Sequence, residues 1–177
     1  MPNWCDNNLV VTGPKVSITA FRRWLGKDGL RLKKIAPIPR PMLRGKAPHP
    51  NPESEEAKKL VTKYGFNNWY DWCVANWGTK WDVDAKPNYS APEMVTFDFT
   101  SAWSPPVPAI ETLSARFPQL SFTLKYCECA MGFAGEAHSI SGECVDNYYE
   151  YSSNPEHYTA IAEFFGIGPE FDEEEGA

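Results

Sequence analysis

Nothing in the 177 residues approaches the ~20 consecutive apolar positions that a membrane-spanning helix needs, and the longest such run is a few residues. The opening Met1-Pro2-Asn3-Trp4-Cys5-Asp6 has no charged-then-apolar leader pattern. A cytoplasmic chain without membrane contact is therefore expected. Histidine is scarce, with only His49, His138 and His157, and no Gly-x-Ser-x-Gly, Walker or His-Glu-x-x-His pattern occurs, so no enzyme class is indicated. The five cysteines are scattered without paired metal or scaffold spacing. Reduced thiols are expected, with no cofactor. Cys127, Cys129, His138 and Cys144 come nearest to a ligand set and do not match a zinc pattern, so no metal is assigned.

Acidity is also absent where it would matter most. Nine of the 17 basic residues lie between Arg22 and Lys46, a stretch whose single acid is Asp28. It runs into Pro37, Pro39, Pro41, Pro48, Pro50 and Pro52, a spacing that favours extended backbone. A solvated loop is the plain reading; a phosphate-contacting arm carried by Arg22, Arg23, Lys33, Lys34, Arg40 and Arg44 is the alternative. The formal charge of −6 arises mostly from the other end, where Glu170, Asp172, Glu173, Glu174 and Glu175 crowd residues 169–177. Such a run self-repels and reads as a disordered acidic tail, or more pointedly as a peptide suited to a basic groove.

What is present is periodicity. Residues 4–12 read as a strand closed by Gly13-Pro14, and 15–25 as a helix with Val16, Ala20, Phe21, Trp24 and Leu25 on one half. Residues 30–36 are a weak strand. From Asn51 two short helices follow, one carrying Ala57, Leu60, Val61 and Tyr64, the next capped by Asn67 and ended by Gly78. Trp81-Asp82-Val83-Asp84 alternates like a strand, as do Val95, Phe97, Phe99 and Trp103, then Phe122, Leu124 and Tyr126. Helices are expected from Pro106 and from Asn154-Pro155, and one strand within 134–145. These elements predict a two-layer α+β sandwich of ferredoxin-like kind: an antiparallel sheet with helices on one face, in a single domain 1–168 with a helical insertion at about 51–78.

Four stretches carry a resemblance: MPNWCDNNLVVTG at 1–13, WYDWCVANWGTKWD at 69–82, FDFTSAWSPP at 97–106 and YCECAMGFAGE at 126–136. Together they resemble the YubB-like family of plasmid and phage proteins. The resemblance implies a ferredoxin-like fold and carriage on a mobile genetic element, and no established reaction. It implies further that the chain engages a host or element-encoded macromolecule, as an inhibitor of host defence would.

The chemistry-bearing residues fit binding better than catalysis. Seven Trp, four of them within 69–81, read first as large core fillers, but a Trp left exposed beside polar neighbours is the material of a recognition hot spot. Trp77, Lys80, Trp81 and Asp82, joined by Trp103 and Glu128 if the strands converge, form the candidate binding surface for a protein partner. Glu128 continues the face of Phe122, Leu124 and Tyr126, where a carboxylate needs a partner such as Lys80. A hydrolase or transferase using Glu128 with His138 or Asp82 is the enzymatic alternative. Gly132-Phe133-Ala134-Gly135 resembles the glycine-aromatic strand of RNA-recognition modules, but Glu136 stands where an aromatic would continue it.

Overall fold

The computed structural model describes residues 3–168. The acidic segment 169–177, expected as a tail, lies outside the described residues. Six strands form one antiparallel sheet: β1 (Trp4–Thr12), β2 (Tyr89–Ala91), β3 (Met94–Ala102), β4 (Ser121–Glu128), β5 (Phe133–Ile140) and β6 (Glu143–Glu150), in the order β2-β3-β1-β4-β5-β6. The chain is an α+β protein of the ferredoxin-like kind. Its helices are α1 (Lys15–Leu25), α2 (Leu32–Ile35), α3 (Glu55–Tyr64), α4 (Trp69–Trp77), α5 (Val107–Arg116) and α6 (Pro155–Phe164). Among the described residues, no helix is long and apolar enough to cross a membrane.

Alternation decides the main core. Cys5, Leu9 and Val11 on β1, Val95 and Phe97 on β3, and Phe122, Leu124 and Tyr126 on β4 project to the side covered by α1 and α5. The helices answer with Ile18, Phe21 and Leu25 from α1 and Ile110 and Leu113 from α5. Tyr126 reaches across β5 to donate to the Asp146 carboxylate at 2.7 Å. Gly135, its cross-strand partner, makes this passage possible, because a Cβ there would overlap the Tyr126 ring and hydroxyl. The last helix departs from the one-sided arrangement. α6 lies on the opposite face, where Ala162 packs with Cys127 and Ala134.

A second core stands beside the sheet. Leu32, Met42, Trp72, Cys73, Trp77, Val83 and Ala109 are buried together, with Leu60, Tyr64 and Trp69 packed around them. α3 and α4 occupy the stretch expected as a helical insertion. Their caps sit slightly later than expected: Ser54 Oγ accepts the Ala57 N–H at 3.2 Å, and Asn68 Oδ1 accepts that of Asp71 at 3.0 Å.

Three expected elements are different in the structure. Neither 30–36 nor 81–84 is a strand; only a Leu30–Ala85 bridge joins them. The cause is Asp82, whose Oδ1 accepts the N–H groups of Leu32 at 2.6 Å and Lys33 at 3.3 Å, capping α2 from a distance instead of leaving a ladder edge. The third is residues 134–145, which span parts of two strands. Ser141 and Gly142, both with positive φ (53° and 86°), turn the chain between β5 and β6. Such a two-residue primed turn matches the twist of an antiparallel pair.

Candidate functional site

The turn after α4 is held at both ends. Gly78, at φ 85°, closes the helix, and a Cβ on it would stand 2.5 Å from Pro108 Cδ and 2.7 Å from the Pro105 carbonyl oxygen. Only glycine lets α4 end this close to the start of α5. The Thr79 hydroxyl donates to the Ala102 carbonyl at 2.7 Å, and Ser104 donates to that of Gly78 at 2.6 Å. At the other side Asp82 holds α2 and also accepts its own neighbour's N–H, that of Val83, at 3.0 Å. Between these anchors Lys80 and Trp81 form the outer part of the turn. The Lys80 ammonium lies 5.8 Å from the Tyr70 ring centre and 5.0 Å from that of Trp81, two cation–π contacts that orient it without neutralising it. Among the described residues no carboxylate pairs with Lys80.

Opposite this turn runs the proline-rich loop. Pro37, Ile38 and Leu43 form one wall, Trp69, Cys73 and Trp77 line the interior, and Lys33, Lys80, Trp81 and Asp82 complete an open groove of about 570 Å³. The Trp77 indole N–H donates to the Ala36 carbonyl at 2.8 Å, which binds the loop to α4. Lys33 pairs with Asp82 at 3.3 Å, and Arg40, Arg44 and Lys46 are exposed on the same loop. The result is an apolar interior with a cationic border. Cys73 does not add a nucleophile: burial first, then the Asp82 charge, pushes its thiol up to about 12.

Aromatic surface extends from the groove to the sheet end. Trp81 is 40% exposed, and its ring centre lies 6.1 Å from that of Trp4, itself 51% exposed at the start of β1. Trp4 pairs in register with Ala102, and the next residue, Trp103, donates its N–H to the Asn3 carbonyl at 3.0 Å. Trp103 is 40% exposed and has φ 73°, a left-handed conformation uncommon for a bulky residue.

With this geometry in place, the comparisons with known proteins are informative. A family model described as "Ferredoxin-like domain in Api92-like protein" matches residues 76–165. The chain belongs to this family. A solved structure, the crystal structure of a protein api92 from Yersinia pseudotuberculosis, superposes with a TM-score of 0.52 at 14% identity, covering 85% of this chain and 98% of that one. At that identity the likeness is one of fold. No curated protein matches the sequence. The comparisons support an Api92-like assignment, whereas the YubB-like resemblance remains a reading of the residues. The family match takes in the Trp77–Asp82 turn and strands β2 to β6, but β1, the proline-rich wall and most of α4 precede it.

Within this Api92-like fold the candidate residues separate. Trp77, Lys80, Trp81 and Asp82 share the groove; Trp103 does not line it, and is exposed at the end of β3 with its backbone N–H on the Asn3 carbonyl. Trp77 is buried and contributes from beneath. Glu128 is no surface residue: it is 1% exposed, and its two oxygens accept the N–H groups of Ala130 at 3.3 Å and Met131 at 2.5 Å. Local turn donors, not Lys80, are its partners. His138 pairs in register with Thr123, five strand positions from Glu128 and on the other face, and hydrogen-bonds Glu136 at 2.6 Å. Five positions are ~17 Å of strand, beyond the reach of an acid–base pair. Asp82 is committed to backbone amides. The enzymatic constellation is therefore not assembled.

The basic residues are likewise divided. Arg22 donates to the Ala91 and Met94 carbonyls, and Lys34 donates to that of Leu25 at 3.0 Å, while Arg23, Lys33, Arg40 and Arg44 are exposed. Phe133 packs in the main core, so the glycine-aromatic motif offers no ring for base stacking. Among the described residues, no group of three or more His, Cys, Asp or Glu is placed to hold a metal ion. Sequence reasoning missed Trp4, Tyr70 and the Pro37–Leu43 wall. Trp4 had a usable signal, since it lies out of phase with the buried Cys5, Leu9 and Val11 of its own strand.

Proposed function

We propose that the chain is a non-enzymatic binding protein whose groove between the Pro37–Leu43 loop and the Trp77–Asp82 turn receives an acidic protein segment with an apolar anchor. The carrying observation is Lys80, a cation with no carboxylate partner among the described residues, held by aromatic rings at the border of an apolar hollow. Trp and a positive side chain around a desolvated centre are what binding hot spots are made of. Charge complementarity selects the partner's sign: between Gly29 and Pro52 the chain has six basic residues and no acidic one. A host or element-encoded protein is the partner class, with inhibition of host defence as the role that carriage on a mobile element would favour.

The alternative of single-stranded nucleic acid has less support, because Arg22 and Lys34 are committed to carbonyls and the exposed sheet face carries Asp6 and Asp98. The test is affinity purification of the tagged chain from bacterial lysate, with and without nuclease, beside Lys80→Glu and Trp81→Ala variants. A stoichiometric protein that survives nuclease and is lost with both variants is the expected result. Capture that needs nucleic acid, or that both variants retain, overturns the proposal.

A further inference from the structure

The two edges of the sheet are finished differently. β2 has only Tyr89, Ser90 and Ala91, with Pro87 shortly before it and Pro92 directly after, a short proline-bounded edge that resists a further strand. β6, at the other edge, runs from Glu143 to Glu150 with neither proline nor glycine, and its register on β5 has no bulge. The Tyr151 N–H donates to the Gly132 carbonyl at 2.8 Å, one step beyond the Phe133–Glu150 pair. Alternation in an antiparallel ladder then turns the main chain of Val145, Asn147 and Tyr149 toward β5 and that of Cys144, Asp146 and Tyr148 outward. Among the described residues, these outward N–H and C=O groups have no hydrogen-bond partner; the edge closes only at Glu150, whose carbonyl accepts the N–H groups of Ser153 and Asn154. Val145 and Tyr148 are exposed on opposite faces of the same strand.

Charge decides the occupant. β6 carries Glu143, Asp146 and Glu150 and no basic residue, and among the described residues none of the three is in an ion pair. A second copy of β6 laid against it brings further acids and no cation in any register, and like charges across a ladder repel. We propose that β6 is a strand-addition site for an extended basic segment of a partner protein, which pairs antiparallel with Cys144, Asp146 and Tyr148 and sets Lys or Arg against Glu150, Asp146 and Glu143. The antiparallel direction continues that of the sheet and is the slightly more stable pairing. Main-chain hydrogen bonds supply the affinity and alternate side chains the specificity. Glu150 and Asp146 share one face of the strand and Glu143 lies on the other, so the segment is recognised by basic residues spaced four and then three positions apart. No residue of β6 lines the groove, so the two surfaces are independent.

The test follows residue-resolved amide exchange of the full chain with two probes, an extended Thr/Val peptide bearing Lys at that spacing and its counterpart bearing Glu. The Lys peptide is expected to slow exchange several-fold at Cys144, Asp146 and Tyr148, while the amides of Val145, Asn147 and Tyr149, already bonded to β5, change little. The Glu peptide should protect none of them. Neutralising the strand in one variant (E143Q, D146N, E150Q) should weaken binding of the Lys peptide several-fold, with the β1–β4 amides still protected as the sign that the variant folds. No protection at the three outward amides, equal protection by the Glu peptide, or full binding by the neutralised strand would overturn the proposal. Protection of the same amides in the chain alone as its concentration rises would give the edge to a second copy, and would overturn it too.

Discussion

The core under α1 and α5 and the core around α4 solve the same burial problem by different means. In the first, the sheet ladder satisfies the backbone, so one strand face is free to be apolar, and Phe21, Phe97, Phe122 and Tyr126 are all fully buried. In the second, among the described residues, side chains take the place of a ladder: Asp82 accepts three backbone N–H groups, Trp77 donates to Ala36, and Thr79 and Ser104 tie the turn to β3 and to the segment that leads into α5. These commitments leave apolar surface uncovered. Trp72 and Trp77 are enclosed, while Tyr70 and Trp81 remain at the surface. A sheet that closes its own core stands here beside a less closed one that keeps apolar surface in contact with solvent.

The comparison can be broken most severely at Phe122. Truncation to Ala should cost about 3–5 kcal/mol, as large-to-small changes in close-packed cores do, lowering the urea midpoint of the whole chain. Asp82→Ala should cost about 1 kcal/mol, the loss of hydrogen bonds to partly buried N–H groups that water can reach in part. Hydrogen exchange should localise that loss to Leu32, Lys33 and Val83 while the β1–β4 ladder stays protected; equal loss in the sheet would show the two cores to be one. Trp77→Phe keeps most of the volume and removes the bond to Ala36, for about 1 kcal/mol and a measurable fall in partner capture.

Smaller effects sharpen the contrast. Burial alone would raise the Glu136 carboxyl, but the hydrogen bonds from Lys125 and His138 outweigh it and hold the group below its ordinary value. A depressed carboxylate stabilises the fold above its unfolded pKa, and this stabilisation is lost as pH falls through the folded value. Glu136→Gln should therefore flatten the acid limb of a stability profile below about pH 5, near the unperturbed Glu pKa. Trp81→Ala should leave stability within about 0.5 kcal/mol, as for surface changes, while abolishing capture. Thiol reagents at pH 8 should label the exposed Cys129 well before Cys73 or Cys127, whose thiols burial pushes up to about 12 and about 11.

Much of the sheet region was legible because its signals are local. The strand at 4–12, the helix at 15–25 and the strand through Phe122, Leu124 and Tyr126 all follow from alternation, helical spacing and glycine or proline stops. Tyr89–Ala91 was hidden in a turn-rich stretch, and the β5–β6 hairpin behind a two-residue Ser-Gly turn inside what reads as one strand. The groove was legible by half. Trp77, Lys80, Trp81 and Asp82 stand out as a run of neighbours, but their opposite wall is about 40 residues away in sequence, and proline spacing describes its backbone without saying where it packs.

The sequence by itself determined which residues alternate, where helices start and stop, and that cations are massed in one stretch and acids in another, since all of these depend on neighbours within a few positions. Only the tertiary structure decided which charges are available. Glu128 and Asp82 are ordinary carboxylates in the sequence, but turn and helix amides approach them in the fold, while Lys80 lies between two rings with no carboxylate partner among the described residues. A hydrogen bond depends on the position of two groups together, and local periodicity fixes only one of them.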